Sequence, residues 1–151
     1  MTDPSFAALL EDMRRAMLSE YGAFVVYTRL AECGEDRELS GVLLELASEE
    51  KVQLERLAAL MRKLGGRPRK RSFRRWLAAR ALVSCRRFFG ARFALRVCLD
   101  AELTISRWYA QYADYLTRCG ESEAAAECQE LALVKRRHSR VLQAWVDLGA
   151  R

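Results

Sequence analysis

Glu20, Glu50, Glu102, Lys135 and His138 stand where helical periodicity asks for apolar side chains. Glu20 is in line with Met13, Met17, Phe24 and Tyr27. Glu50 and Gln53 lie between Leu46, Ala47, Leu54 and Leu57, and Glu102 lies between Cys98, Leu99, Ile105 and Tyr109. Lys135 and His138 lie between Leu131, Val134, Leu142 and Trp145. Burying a charge is costly unless it is paired or binds a metal ion. Three carboxylates and an imidazole are ligands for iron or zinc; Glu50, Glu102 and His138 alone would suffice for a single cation. Together with the Lys135 ammonium they are also the parts of a metal-free ion-pair network. His138 reads equally as a hydrogen-bonded core histidine. If the helix phases were shifted, the glutamates would be surface charges, but several helices would have to be misphased together. Glu49, next to Glu50, points about 100° away on a helix and is expected in solvent.

The spacing repeats. Glu20 precedes Tyr27 by seven residues, two helical turns on one face, and Glu102 precedes Tyr109 by the same seven. Glu50/Gln53 and Lys135/His138 are both i, i+3 pairs, which share a helix face. Each half of the chain thus supplies one single inward polar position and one pair. Tyr27 and Tyr109 are expected as core aromatics whose hydroxyls bond a nearby carboxylate, with redox tyrosines beside a metal as the other reading.

Four long helices are needed to present these residues. The first is expected from about Ser5 to Cys33, with the stripe Phe6, Leu9, Leu10, Met13, Met17, Phe24, Tyr27, Leu30, and Gly34 as its stop. The second runs from about Asp36 to Leu64 on Leu39, Val42, Leu43, Leu46, Ala47, Leu54, Leu57, Met61 and Leu64; Gly65, Gly66 and Pro68 end it. Ser72 is placed to cap a short helix to about Cys85. The third long helix starts near Phe88 or Ala91 and ends at Arg118, with Leu95, Cys98, Leu99, Ile105, Tyr109, Tyr112 and Leu116 inward. The fourth runs from about Ser122 to Leu148. Tight turns join the first two helices and the last two. The long connection, about residues 65–90, links these hairpins. The expected fold is one all-α domain over residues 1–151, an antiparallel four-helix bundle with a short crossover helix between the second and third long helices.

With these positions in place, the sequence resembles the ferritin-like diiron carboxylate superfamily, in its rubrerythrin-like and demethoxyubiquinone hydroxylase-like branches. The stretch "SEYGAFVVYTRLAECGEDRELSGVLLELASEEKVQLERLAALMRKLGGRP" is similar to the first half of such proteins. "ALRVCLDAELTISRWYAQYADYL" and "LALVKRRHSRVLQAW" are similar to the second half, and the resemblance spans roughly residues 6 to 148. It implies a di-iron site of one Glu from each of two helices and a Glu–x–x–His pair from each of the others. Glu20 and Glu102 match the single carboxylates. Glu50 and His138 match one member of each pair. Gln53 stands where a histidine is implied, and Lys135 where a bridging glutamate is implied. An ammonium about 4 Å from a metal ion is repelled by several kcal/mol at intermediate dielectric. The expectation is therefore that the di-iron site is lost and no cofactor is held. The alternative is iron, or a single divalent metal ion, on Glu20, Glu50, Glu102 and His138.

Charge is distributed unevenly. The chain carries a net +6, yet no Asp or Glu occurs from Arg56 to Leu99, a segment with 14 of the 26 basic residues. The remaining 12 basic residues face all 20 acidic ones, a net of −8. Arg67, Arg69, Lys70, Arg71, Arg74, Arg75, Arg86 and Arg87 form the basic surface and are interleaved with Phe73, Trp76, Leu77, Phe88, Phe89 and Phe93. One reading packs the aromatics inward and shows the arginines to solvent or to an acidic partner subunit. A second lays the segment on an anionic membrane, which the resemblance also implies through hydroxylases that approach lipid quinones. Nucleic acid is disfavoured, because no helix-turn-helix, finger or other reading element is present.

The N-terminus has no secretory pattern, and no run approaches about 18 uncharged apolar residues. The expected location is cytoplasmic, or peripheral on the inner membrane face. The five cysteines are scattered with no CxxC pair, which argues against a disulfide framework or a zinc site. Three functions stay open: a non-catalytic structural or partner-binding protein, a metal-dependent oxidoreductase or hydroxylase with an altered site, and a carrier of a small molecule or lipid. A homodimer or another protein partner is expected.

Overall fold

The computed structural model describes residues 4–69 and 71–149. Four helices account for nearly all of them: α1 (Pro4–Cys33), α2 (Arg37–Lys63), α3 (Phe73–Arg118) and α4 (Ser122–Asp147). Asp36 caps α2, its side chain accepting the Leu39 N–H at 3.0 Å. At the other end Gly65, at φ 79°, turns the chain so that the Gly66 N–H reaches the Met61 carbonyl at 2.7 Å. Ser72 caps α3 by accepting the Arg75 N–H.

α3 departs in one respect from the sequence expectation. The helix entered at Phe73 continues past Cys85, through Arg86, Arg87 and Phe88, and is interrupted only at Gly90. There φ is 81° and ψ is 167°, a conformation open to glycine and strained for other residues. Residues 73–89 precede this kink and residues 91–118 follow it. The first part packs Ala79, and more loosely Trp76, Leu82 and Val83, against the bundle. Arg86 anchors its end, donating to the Cys33 carbonyl at the close of α1 at 2.6 Å.

α1 packs on α2 and α3, and α4 packs on α3 and α2. The short 34–36 and 119–121 connections make α1/α2 and α3/α4 antiparallel hairpins. The apolar core is divided. One cluster holds Met13, Met17, Leu57, Met61, Tyr109 and Leu131. The other holds Tyr27, Leu43, Leu46, Leu95, Leu99 and Leu142. On each helix the boundary falls at the polar residues singled out above: after Met17, after Ala47, after Leu99 and after Ala132. A polar layer therefore crosses the bundle between two apolar halves. On α4 the inward line runs through Leu131, Lys135, His138 and Leu142, while Val134 and Trp145, expected in it, are half-buried.

Candidate functional site

Glu20, Glu50, Lys135 and His138 are fully enclosed, and Glu102 and Gln53 are nearly so. Lys135 is the centre. Its Nζ donates to both oxygens of Glu50, at 2.6 Å each. It contacts Glu20 Oε2 and lies 3.2 Å from Glu102 Oε2. The last two oxygens sit at ion-pair range but off the direction of a hydrogen bond, so Coulomb attraction rather than directed bonding holds them. His138 bridges inside and outside. Its Nδ1 is 2.8 Å from Glu50 Oε1, and its Nε2 is 2.7 Å from Glu49 Oε2. Glu49 stays partly in solvent, as its position suggested, but it also folds back on His138 and meets Arg137. The i, i+3 spacing on α2 and α4 brings both pairs to one layer, although Gln53 Oε1 finds no hydrogen-bond partner among the described residues.

The single carboxylates are held across the bundle. Tyr27 on α1 donates to Glu102 Oε1 on α3 at 2.5 Å, and Tyr109 on α3 donates to Glu20 Oε1 on α1 at 2.5 Å. The repeat of Glu and Tyr at seven residues therefore yields a crossed exchange between the hairpins. Burial raises both phenols well above the ordinary tyrosine value, and the adjoining carboxylate charges raise them further. They stay protonated and serve as donors. Removing one donor from a buried, charged acceptor costs about 1.5–3 kcal/mol. Tyr27→Phe should lose about that much stability in urea unfolding, because the ring stays and only the hydroxyl goes; a change below about 0.5 kcal/mol would show that Glu102 does not depend on it.

Protonation follows from the packing. For His138, burial disfavours the charge, but the Glu102 and Glu50 carboxylates outweigh it and the ring is pushed up to about 10. Both ring nitrogens then donate. For Glu102, burial pushes the carboxyl up, and the Lys135 ammonium and His138 bring it down to about 2. Glu50 goes the other way: burial and the Glu102 charge raise it well above the ordinary range, against the pull of Lys135. Burial opposes the Lys135 ammonium too, yet the three surrounding carboxylates keep it charged far into the alkaline range. The Lys135 and His138 cations lie among the carboxylates, so each buried charge has an opposite partner, which is how so many ionisable groups share one core.

Glu50, Glu102 and His138 offer ligand atoms within 4.8 Å of one another, a group able to hold a metal ion. A cavity of about 530 Å³ opens beside this layer, between α1 and both parts of α3. Gly22, Ala23, Ala78, Ala79 and Ala101 leave its space, and Tyr27 and Cys98 form wall shared with the polar layer. Burial raises the Cys98 thiol, so it is an inert part of that wall. The small residues that make the cavity lie on three separate segments, and their convergence carries no signal in sequence.

Arg67, Arg69, Arg71, Arg74, Arg75 and Arg87 are exposed, as expected of the basic surface. Arg86 is half-buried on the Cys33 carbonyl, and Lys70 lies outside the described residues. The aromatics correct one reading: Trp76 turns inward, but Phe73, Phe88, Phe89 and Phe93 do not and are 73, 82, 66 and 41% exposed. Among the described residues no helix is long and apolar enough to cross a membrane.

No family model matches the chain, and no curated protein matches it. A solved structure of ferritin-like, diiron-carboxylate proteins from Bacillus anthracis str. Ames does match, with a TM-score of 0.78 and 16% identity, over 96% of this chain and 99% of that one. The likeness spans nearly the whole of both chains. The fold of this chain is that of a ferritin-like four-helix bundle.

Proposed function

We propose that this bundle works without a metal centre, with the Lys135 ammonium supplying the positive charge that its carboxylates require, and that its role is non-catalytic ligand binding in the adjoining cavity. One observation carries the first half: a single Nζ touches Glu20, Glu50 and Glu102 together. A pair of metal ions does not fit these residues. They would face a fixed cation among their ligands, three carboxylates instead of four, and a histidine whose two nitrogens are already taken by Glu50 and Glu49. Closure of the polar layer leaves the cavity as the accessible feature. Its walls of Val26, Leu82, Ile105 and Trp108 suit an apolar small molecule, with Ser19 and Thr104 as the polar contacts.

Metal analysis of protein produced in iron-, manganese- and zinc-supplemented medium tests the reading, paired with native mass spectrometry for co-purifying small molecules. Well under one metal ion per chain is expected. About two irons per chain, the loading of a di-iron bundle, overturns it. A second reading rests on the Glu50, Glu102 and His138 atoms: one divalent cation displaces the ammonium and supports an oxidoreductase or hydroxylase function. A loading near one ion per chain, abolished in His138→Ala, would favour it.

A further inference from the structure

The outer face of residues 73–89 carries a largely apolar line that no described residue covers. Phe73, Leu77, Ala81, Ser84 and Phe88 follow one another at steps of four, four, three and four, which places them on one stripe of the helix. All five are exposed, Phe73 by 73%, Leu77 by 54% and Phe88 by 82%. The opposite side of the same helix packs Trp76, Ala79 and Val83 on the bundle. Arg74 borders the stripe on one edge, and Arg80 and Arg87 border it on the other. Across the Gly90 kink, Phe89 and Phe93 sit with ring centroids 5.2 Å apart, both exposed, beside exposed Arg92 and Arg96. Soluble surfaces scatter single apolar side chains, but a continuous row rimmed by one sign of charge marks a docking surface.

We propose that this face docks on the surface of an anionic lipid bilayer, lying in the interface rather than crossing it. The charge pattern selects this occupant. The face has no acidic residue between Arg56 and Leu99, so its rim complements lipid phosphates and carboxylates. Phenylalanine and leucine rings and branches on the line enter the headgroup–acyl boundary, and the arginines stay at headgroup level. A symmetric pair of chains meeting on this stripe would set Arg74, Arg80 and Arg87 of one copy against those of the other, with no acid on the face to offset them. A nucleic acid would satisfy the arginines but leave the aliphatic part of the row without a partner. The surface is separate from the polar layer and from the cavity, whose wall is built on the other side of the same helix by Ala78, Ala79 and Leu82.

Co-sedimentation with vesicles tests it, using equal parts phosphatidylglycerol and phosphatidylcholine against phosphatidylcholine alone, at low and high salt. The intact chain should bind the anionic vesicles at low salt and the neutral ones hardly at all. Leu77→Ser/Phe88→Ser should weaken binding about tenfold or more, since two apolar side chains leave the lipid. Arg74→Gln/Arg87→Gln should weaken it by about tenfold and flatten its salt dependence. Both variants alter exposed side chains, so circular dichroism and melting should match the parent. The proposal is overturned by absence of binding to anionic vesicles at low salt, or by a serine variant that binds as the parent does. It is also overturned by binding to a DNA duplex but not to vesicles. A parent that is dimeric without lipid, and monomeric as the serine variant, would make this face an interface between copies instead.

Discussion

Lys135→Met should destabilise the bundle by about 3–5 kcal/mol at neutral pH, the cost of leaving buried charge without its partner. Methionine keeps the length and the apolar stem of the side chain, so the space it fills changes little. What disappears is the one cation touching Glu20, Glu50 and Glu102. The pH dependence separates this from an ordinary core defect. In the parent, His138 is raised from 6.5 to about 10, so its contribution is complete below about 6.5 and is lost as pH rises through 10. Glu50, also raised, has its contribution complete below 4.5 and loses it as pH climbs. Glu102 is lowered from 4.5 to about 2, so its contribution is complete above 4.5 and is lost as pH falls toward 2. The parent should therefore be most stable near pH 4.5 and weaken on both sides, first through Glu50 and then through His138 as pH rises. The Lys135 charge is the largest influence holding Glu102 down. Without it the acid-side loss should shrink, because only His138 and Tyr27 still hold Glu102 down. Urea unfolding followed by circular dichroism at several pH values reads both effects. A variant that matches the parent at pH 7, or shows the same acid limb, would remove Lys135 from its place as the central cation.

The polar layer was legible in the sequence because helical periodicity is a strong signal over long helices. Glu20, Glu50, Gln53, Glu102, Lys135 and His138 all interrupt apolar stripes, and all six are buried. Depth along four antiparallel helices follows from the turns, so their convergence was legible too. What stayed hidden depends on side-chain reach and on packing between segments. Glu49 lies on another face of α2, but a glutamate is long enough to return to His138. The two Glu–Tyr spacings could as well have paired within a helix; the exchange between Tyr27 and Glu102, and Tyr109 and Glu20, depends on how the hairpins dock. Inward packing of Phe88 and Phe89 was one of the readings that the sequence left open. They are exposed because residues 73–89 already bury their Trp76 and Ala79 face, and one helix cannot turn two faces to one bundle.

Gln53→His/Lys135→Glu should turn this bundle into a metal-binding protein. Lys135→Glu removes the central cation and adds the fourth carboxylate of a di-iron bundle, and Gln53→His adds the second histidine. Both positions already face the layer from the i, i+3 pairs of α2 and α4, so no backbone shift is required. Gln53 leaves its oxygen unpaired where it stands, so its replacement gives up no hydrogen bond of that atom. Without metal, the double variant must hold four carboxylates against two histidines and should be several kcal/mol less stable than the parent. Adding ferrous iron or manganese should then reverse the loss. A ligand at about 100 times its Kd contributes about 2.7 kcal/mol to the folded state. For a chain of this size that corresponds to a rise in melting temperature of about 5–10 °C. The parent should show no such rise, and neither should Gln53→His alone, because the ammonium still occupies the centre. This ordering tests the argument more sharply than metal content. If Gln53→His alone gained metal-dependent stability, Lys135 would be displaceable and the histidine the missing part. If the double variant gained none, the layer could not open to admit ions at all, and the crossed tyrosine bonds would be the next constraint to release.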